Sequence, residues 1–205
     1  MITKNIMIVG VGGQGTLLAS KLLGRILLEH GYDVKVSEVH GMSQRGGSVV
    51  TYVRFGEKVF SPVIDRGQAD FILSFELLEA ARWLEFLKPD GIIISNNQQI
   101  NPMPVITGAS VYPENLEDKI AATGTELICF DALSIANQAG TAKAVNLVLL
   151  GTLSNFFDFE ESEWLDVIGR SVPQKFTEVN RKAFLLGKDI KNGKILSERD
   201  RDRIS

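Results

Sequence analysis

Asn5-Ile6-Met7-Ile8-Val9-Gly10-Val11-Gly12-Gly13-Gln14-Gly15 decides the fold: an apolar run breaks into glycines, and a helical pattern follows at once. This is the layout of a first strand, a tight turn and a helix N-terminus. Gly10, Gly12 and Gly15 fit G-x-G-x-x-G, in which missing side chains let backbone turn sharply and approach a phosphate at the positive helix end. Beyond the turn, Ala19, Leu22, Leu23, Ile26 and Leu27 mark one helical face, and Lys21, Arg25 and Glu29 another. Glu38 closes the next apolar run near the offset of about 20 residues at which dinucleotide-binding folds place a ribose-binding acid.

The residues after Glu38 depart from a dinucleotide fold. Val39-His40-Gly41-Met42-Ser43-Gln44-Arg45-Gly46-Gly47-Ser48 is followed by Val49 to Phe55, β-branched and aromatic, where a crossover helix would stand. The loop gathers Ser43, Gln44, Arg45 and Ser48 among glycines, which suits contact with an anionic group or another polypeptide. Glu38 is an acceptor for the loop amides or a group acting on a substrate; Arg45 is its ion partner or a ligand contact. Thr16 and Leu17 follow Gly15 where a phosphate-binding P-loop requires lysine and a hydroxyl, which argues against direct nucleoside-triphosphate hydrolysis.

Downstream, strands expected at 69–75, 92–95 and 126–131 alternate with helices expected at 76–88, 113–122 and 132–139. The pattern predicts a Rossmann-like three-layer α/β/α sandwich with a mostly parallel sheet. Val49–Phe55 and Val59–Pro62, joined at Gly56-Glu57-Lys58, are expected to form an inserted hairpin. Leu78 and Phe86 lie off the packed face of the 76–88 helix and predict an extra apolar surface. The polar loop Asn96–Pro104 falls at a strand's carboxyl end, where α/β sheets place ligands. Ala142–Phe157 is apolar almost all round, so it must be buried on several sides, with Asn146 bonding nearby backbone. Ser162 is expected to cap a helix through Arg170, and Gln174–Ile190 to form a last amphipathic helix. Residues 1–190 then make one domain, and the mixed-charge tail 191–205 is mobile or holds a partner.

Composition narrows the function. The 205 residues carry a formal charge of -3 and 44% hydrophobic side chains, so neither a basic nucleic-acid surface nor disorder is indicated. No apolar run approaches the roughly 20 residues that span a bilayer, and no secretory signal is visible, which points to the cytoplasm. Cys129 is the single cysteine and sits in an apolar run, so this chain by itself offers neither a disulfide nor a four-thiolate cluster. His30 and His40 have no metal-ligand spacing, so no metal is expected.

Three strings together resemble a known family: Val9–Gly15, Glu38-Val-His-Gly-Met-Ser-Gln-Arg-Gly-Gly47 and Ala69-Asp-Phe-Ile-Leu-Ser-Phe-Glu76. They are similar to the gamma-type subunits of ferredoxin-dependent 2-oxoacid oxidoreductases, above all to the beta subunits of indolepyruvate:ferredoxin oxidoreductases. Ala144-Val-Asn146, Leu150-Gly151, Ser171-Val-Pro-Gln-Lys175 and Glu178-Val-Asn180 extend the likeness to about Gly187. The resemblance implies a cytoplasmic subunit that binds no cofactor alone. It implies a larger partner carrying thiamine diphosphate, magnesium and iron–sulfur clusters, which decarboxylates a 2-oxoacid, acylates coenzyme A and reduces ferredoxin. By the same likeness Gly12, Gly13, Gly15, Glu38, Ser43, Gln44, Arg45 and Gly46 face that partner or the coenzyme A, with none of them catalytic. For the isolated chain the sequence leaves the oligomeric state open, a homodimer masking the extra apolar surface being one possibility. The residues alone leave two rivals: a stand-alone NAD(P)- or adenylate-binding Rossmann enzyme, and a non-enzymatic nucleotide-sensing module.

Overall fold

A computed structural model of the chain describes residues 3–39, 47–191 and 194–195. The first strand, β1 (Lys4–Val11), buries Ile6, Met7, Ile8 and Val9 completely, which requires cover on both faces. Its turn opens into α1 (Thr16–Glu29), whose buried residues are those of the predicted apolar face. The chain returns as β2 (Asp33–Val39), and β3 (Ser48–Gly56) follows. Next come β4 (Ala69–Ser74), α2 (Leu77–Arg82), β5 (Leu87–Asn96), α3 (Met103–Ile106), α4 (Leu116–Ala121) and β6 (Glu126–Phe130). Four helices complete the domain: α5 (Ala132–Ala139), α6 (Val145–Ser154), α7 (Glu161–Ser171) and α8 (Thr177–Lys188). A two-stranded ladder, β7 (Ile190–Lys191) with β8 (Lys194–Ile195), is the last described structure.

The six-stranded sheet has the order β2-β3-β1-β4-β5-β6. β1, β4, β5 and β6 are mutually parallel, while β3 runs antiparallel to both β1 and β2. One apolar cluster lies between the sheet and α1, α5, α6, α7 and α8; a second lies under α2 and α4. The expected three layers are therefore present. All ten residues of α6 are buried, and Leu147, Val148, Leu149, Leu150 and Leu153 are each fully so. Burying each such side chain is worth roughly 1.5–3 kcal/mol, which explains why a helix with no polar face is stable here.

Several expectations change. Val59–Pro62 is no strand, so β3 takes its antiparallel partners from β2 and β1 and forms no hairpin with 59–62. Instead the Arg54 guanidinium donates to the carbonyls of Ser61 and Val63 at 2.8 and 2.7 Å, and the Val59 amide donates to Asp33 at 2.9 Å. The helix expected to Lys88 stops at Arg82, and Leu87 already pairs with Ala69 in the sheet. The register then jumps to Phe71 opposite Ile92, so Lys88-Pro89-Asp90-Gly91 forms a bulge that tolerates proline's missing donor rather than a helix terminus. Leu78 and Phe86 accordingly pack against the second cluster, and Met103, Ile106 and Val111 are instead among the exposed apolar side chains. The helix after Pro113 begins only at Leu116, and Glu160, in a reciprocal capping box with Glu163, caps α7 in place of Ser162. The charged tail beyond 195 lies outside the described residues.

Candidate functional site

The carboxyl ends of β1, β4 and β5 meet at the glycine turn. β1 and β4 are parallel neighbours, yet α1 carries the chain away to the β2 side while α2 leads from β4 to β5. The crevice between them is therefore the topological switch point where doubly wound sheets receive ligands. Gly13 and Gly15 hold φ of 102° and 89°, which side-chain-bearing residues adopt only under strain. Gly15 is the N-cap of α1 in the left-handed region and supplies no side-chain cap, so the positive end of a 14-residue helix is aimed at the turn.

Two cavities flank this ridge. One, of about 370 Å³, is lined by Gly12, Gly13, Gly15, Glu38, Val39 and Thr51 among others. The other, of about 480 Å³, includes Gly13, Gln14, Gly15, Gln98, Lys143 and Asn146 in its wall. Gly13 and Gly15 line both cavities, and a side chain added at Gly13 would meet nothing within 4 Å. The turn thus offers bare backbone on two sides. A third cavity of about 310 Å³ lies beyond Gly47 and Ser48, where buried Glu79 accepts from the Ser48 hydroxyl and from Arg82 at 3.0 Å.

Of the residues expected at the site, the structure brings Gly12, Gly13, Gly15 and Glu38 together on the first cavity. Ser43, Gln44, Arg45 and Gly46 lie outside the described residues. The chain reaches that interval from Val39, on the first cavity, and resumes at Gly47, whose carbonyl accepts from the Gly12 amide at 2.9 Å. Glu38 does not stand where a ribose-binding acid would. β3 separates β2 from β1, which sets Glu38 two strand spacings, about 10 Å, from the strand that carries the turn.

Other residues join the site, and of these Gln14 and Glu76 were not expected from the sequence. Gln14 folds back so that its Oε1 accepts from the Val11 amide at 2.7 Å and its Nε2 donates to the Phe75 carbonyl at 3.0 Å. Gln98 and Asn96, from the polar loop flagged in the sequence, join it: Asn96 Nδ2 donates to Gln98 Oε1 at 3.3 Å, and Asn96 Oδ1 accepts from the Ala132 amide at 3.1 Å. Asn146 donates to the Gly15 carbonyl at 3.4 Å, the backbone bond expected for an amide in that helix. Glu76 is buried and accepts from the Tyr112 hydroxyl at 2.6 Å, the Ile100 amide at 3.0 Å and the Glu79 amide at 2.9 Å. Only its position just after an apolar strand hinted at this role.

The chemistry on offer is positioning. Carboxamides and backbone amides surround the turn, with the Lys143 ammonium and the α1 dipole favouring an anion and Glu38 opposing one on the other side. Cys129 lies on β6 with its thiol pushed up to about 12, first by burial and then by the neighbouring Glu117 carboxylate, so it is protonated at neutral pH. His30 stacks on Phe159 at 3.8 Å and sits 3.1 Å from Glu163, a structural contact. Among the described residues, no group of three or more His, Cys, Asp or Glu side chains is placed to hold a metal ion. No described helix is long and apolar enough to cross a membrane.

Comparison with known proteins agrees with this geometry. The profile of the family described as Pyruvate ferredoxin/flavodoxin oxidoreductase matches residues 5–190. The indolepyruvate oxidoreductase subunit IorB of Thermococcus kodakarensis is 46% identical over 188 residues, which is 89% of this chain and 93% of that protein. In fold, the chain is similar to the pyruvate oxidoreductase subunit PORC of Thermotoga maritima, with a TM-score of 0.71 at 21% identity, covering 92% of this chain and 97% of that one. It is also similar to part of the 2-oxoglutarate:ferredoxin oxidoreductase of Magnetococcus marinus, solved with 2-oxoglutarate, coenzyme A and succinyl-CoA bound. There the TM-score is 0.69 at 18% identity, over 97% of this chain and 32% of that one. With a profile matched from the first strand to just past the last long helix, the chain belongs to the pyruvate ferredoxin/flavodoxin oxidoreductase family.

Proposed function

We propose that this chain is the smaller subunit of an indolepyruvate:ferredoxin oxidoreductase, and that its glycine turn closes one wall of a thiamine diphosphate and coenzyme A site borne by a larger subunit. The observation that carries this reading is the bare ridge at Gly13 and Gly15 between two cavities, on a chain 46% identical to an indolepyruvate oxidoreductase subunit. When bound to the partner, thiamine diphosphate with magnesium would supply the decarboxylation chemistry, and iron–sulfur clusters there would supply the electron path to ferredoxin. This chain's residues fit a wall and not a whole cofactor pocket, because Gln14 already spans the switch-point crevice.

The work left to this chain is binding, orientation and exclusion of water. Anionic phosphates of coenzyme A suit the α1 N-terminus and Lys143, and fixing the acceptor beside the reacting centre replaces a costly encounter by a positioned one. Packing the turn against the partner would exclude water from that side of the shared site. The test is reconstitution. The isolated chain is expected to give no indolepyruvate-dependent dye reduction, and mixing with the larger subunit to restore a rate that requires coenzyme A. Full activity in the larger subunit alone would refute the proposal, and nicotinamide-dependent turnover by this chain alone would favour the Rossmann-enzyme rival.

A further inference from the structure

The glycines that suggest a nucleotide site have reasons inside this chain. Gly10 lies in β1, and a Cβ there would stand 2.9 Å from Gln14 Oε1 and 3.0 Å from the Phe75 Cβ. A Cβ on Gly15 would stand 3.1 Å from Asn146 Nδ2. In a dinucleotide-binding fold such glycines leave room for the pyrophosphate; here they leave room for two carboxamides of the same polypeptide.

Gln14 uses both ends of its amide. The oxygen accepts from β1 at Val11, and the nitrogen donates to Phe75 at the end of β4 and approaches Gln98 Oε1 at 3.4 Å. Gln98 is backed by fully buried Asn96 at the end of β5, and the Gln98 carbonyl accepts from the first amide of α2, that of Leu77, at 3.0 Å. One side chain therefore ties the glycine turn to the ends of three strands.

We propose that Gln14 is a positioning residue: its carboxamide occupies the switch-point crevice in place of a ligand group and holds the Gly12–Gly13 turn in the shape that meets coenzyme A. The last clause rests on the function proposed above; the occupancy of the crevice does not.

Two substitutions disturb the same bonds from opposite sides. Gln14→Glu keeps the size and the acceptor for Val11 but loses the donor, setting an oxygen against the Phe75 carbonyl. Gly10→Ala crowds the amide oxygen while leaving residue 14 unchanged. In the reconstituted enzyme each should raise the KM for coenzyme A by about tenfold with kcat within about twofold, the pattern of a lost binding contribution of one hydrogen bond. On the isolated chain each should speed hydrogen exchange at the Val11 amide by about tenfold. Leu28→Ser, an exposed change on α1, is the control expected to match wild type in both. Calorimetric titration of the wild-type chain with ADP should show no binding. Wild-type exchange at Val11 in both variants, or ADP binding by the unmodified chain, would overturn the proposal. An inactive wild-type mixture would count against the subunit function instead, and the exchange and ADP measurements would still decide the role of Gln14.

Discussion

Side chains with reactive names turn out to be held in unreactive states. The Cys129 thiol, raised to about 12 by burial and by Glu117, should react with iodoacetamide or a disulfide reagent far more slowly than a small-molecule thiol at pH 8. Because its pKa is raised, the protonated form is the one stabilised by folding, and the rate should climb only as the pH approaches the folded value or as the protein unfolds. Fast labelling of the native protein at pH 8, followed by absorbance, would contradict this burial. The sequence predicted a small buried role for Cys129 from its apolar neighbours, and the structure leaves it half-buried against the second cluster. The sequence did not reveal Gln14 or Glu76, because a glutamine after two glycines and a glutamate after a strand acquire partners only when Phe75, Gln98, Ile100 and Tyr112 arrive from elsewhere.

Among the elements, the contact most sensitive to substitution is α6 against α8. A Cβ on Gly151 would lie 2.0 Å from the Phe184 carbonyl oxygen, and one on Gly187 would lie 1.9 Å from that of Val148. The clash is with backbone, so no rotamer change relieves it and the helices must move apart. Gly151→Ala or Gly187→Ala should therefore cost about 3 kcal/mol or more, at the upper end of overpacking, even though alanine is the better helix former. Urea denaturation of each variant measures this, and a loss under about 1 kcal/mol would show that the pair is looser than described. The sequence predicted the burial of α6 from its apolar circumference. Which helix would approach so closely was not legible, since two glycines 36 positions apart mark a contact only once both helices are placed.

Across the whole molecule, Glu76 gathers the end of β4, the start of α2, the chain at Ile100 and the Tyr112 hydroxyl into one buried cluster. Burial raises the Tyr112 pKa further than any other cause, with Glu76 adding to it through a hydrogen bond and charge repulsion. A raised folded pKa stabilises the protonated phenol, so this contribution is fully present below the unfolded value near 10 and is lost as the pH rises past it. Tyr112→Phe should lower stability at pH 7 by about 1.5 kcal/mol, the usual worth of a hydrogen bond to a carboxylate, and the gap to wild type should close above pH 10. Chemical denaturation at pH 7 and pH 10.5 would check both parts, and a gap that widens with pH would reverse the sign argued here.

The sequence by itself determined the layers, most strand positions and the family, because apolar periodicity, glycine punctuation and a long motif such as Glu38–Gly47 are properties of neighbouring residues. It also singled out Gly12, Gly13, Gly15 and Glu38, which the structure places on one cavity. Only the tertiary structure decided that β3 enters between β2 and β1 and moves Glu38 away from a ribose-binding position. Only it decided that Gly10 and Gly15 make room for Gln14 and Asn146. The physical reason is the same in both cases. Strand order and side-chain contact are long-range quantities, and a local pattern that fits a bound phosphate fits an internal carboxamide equally well.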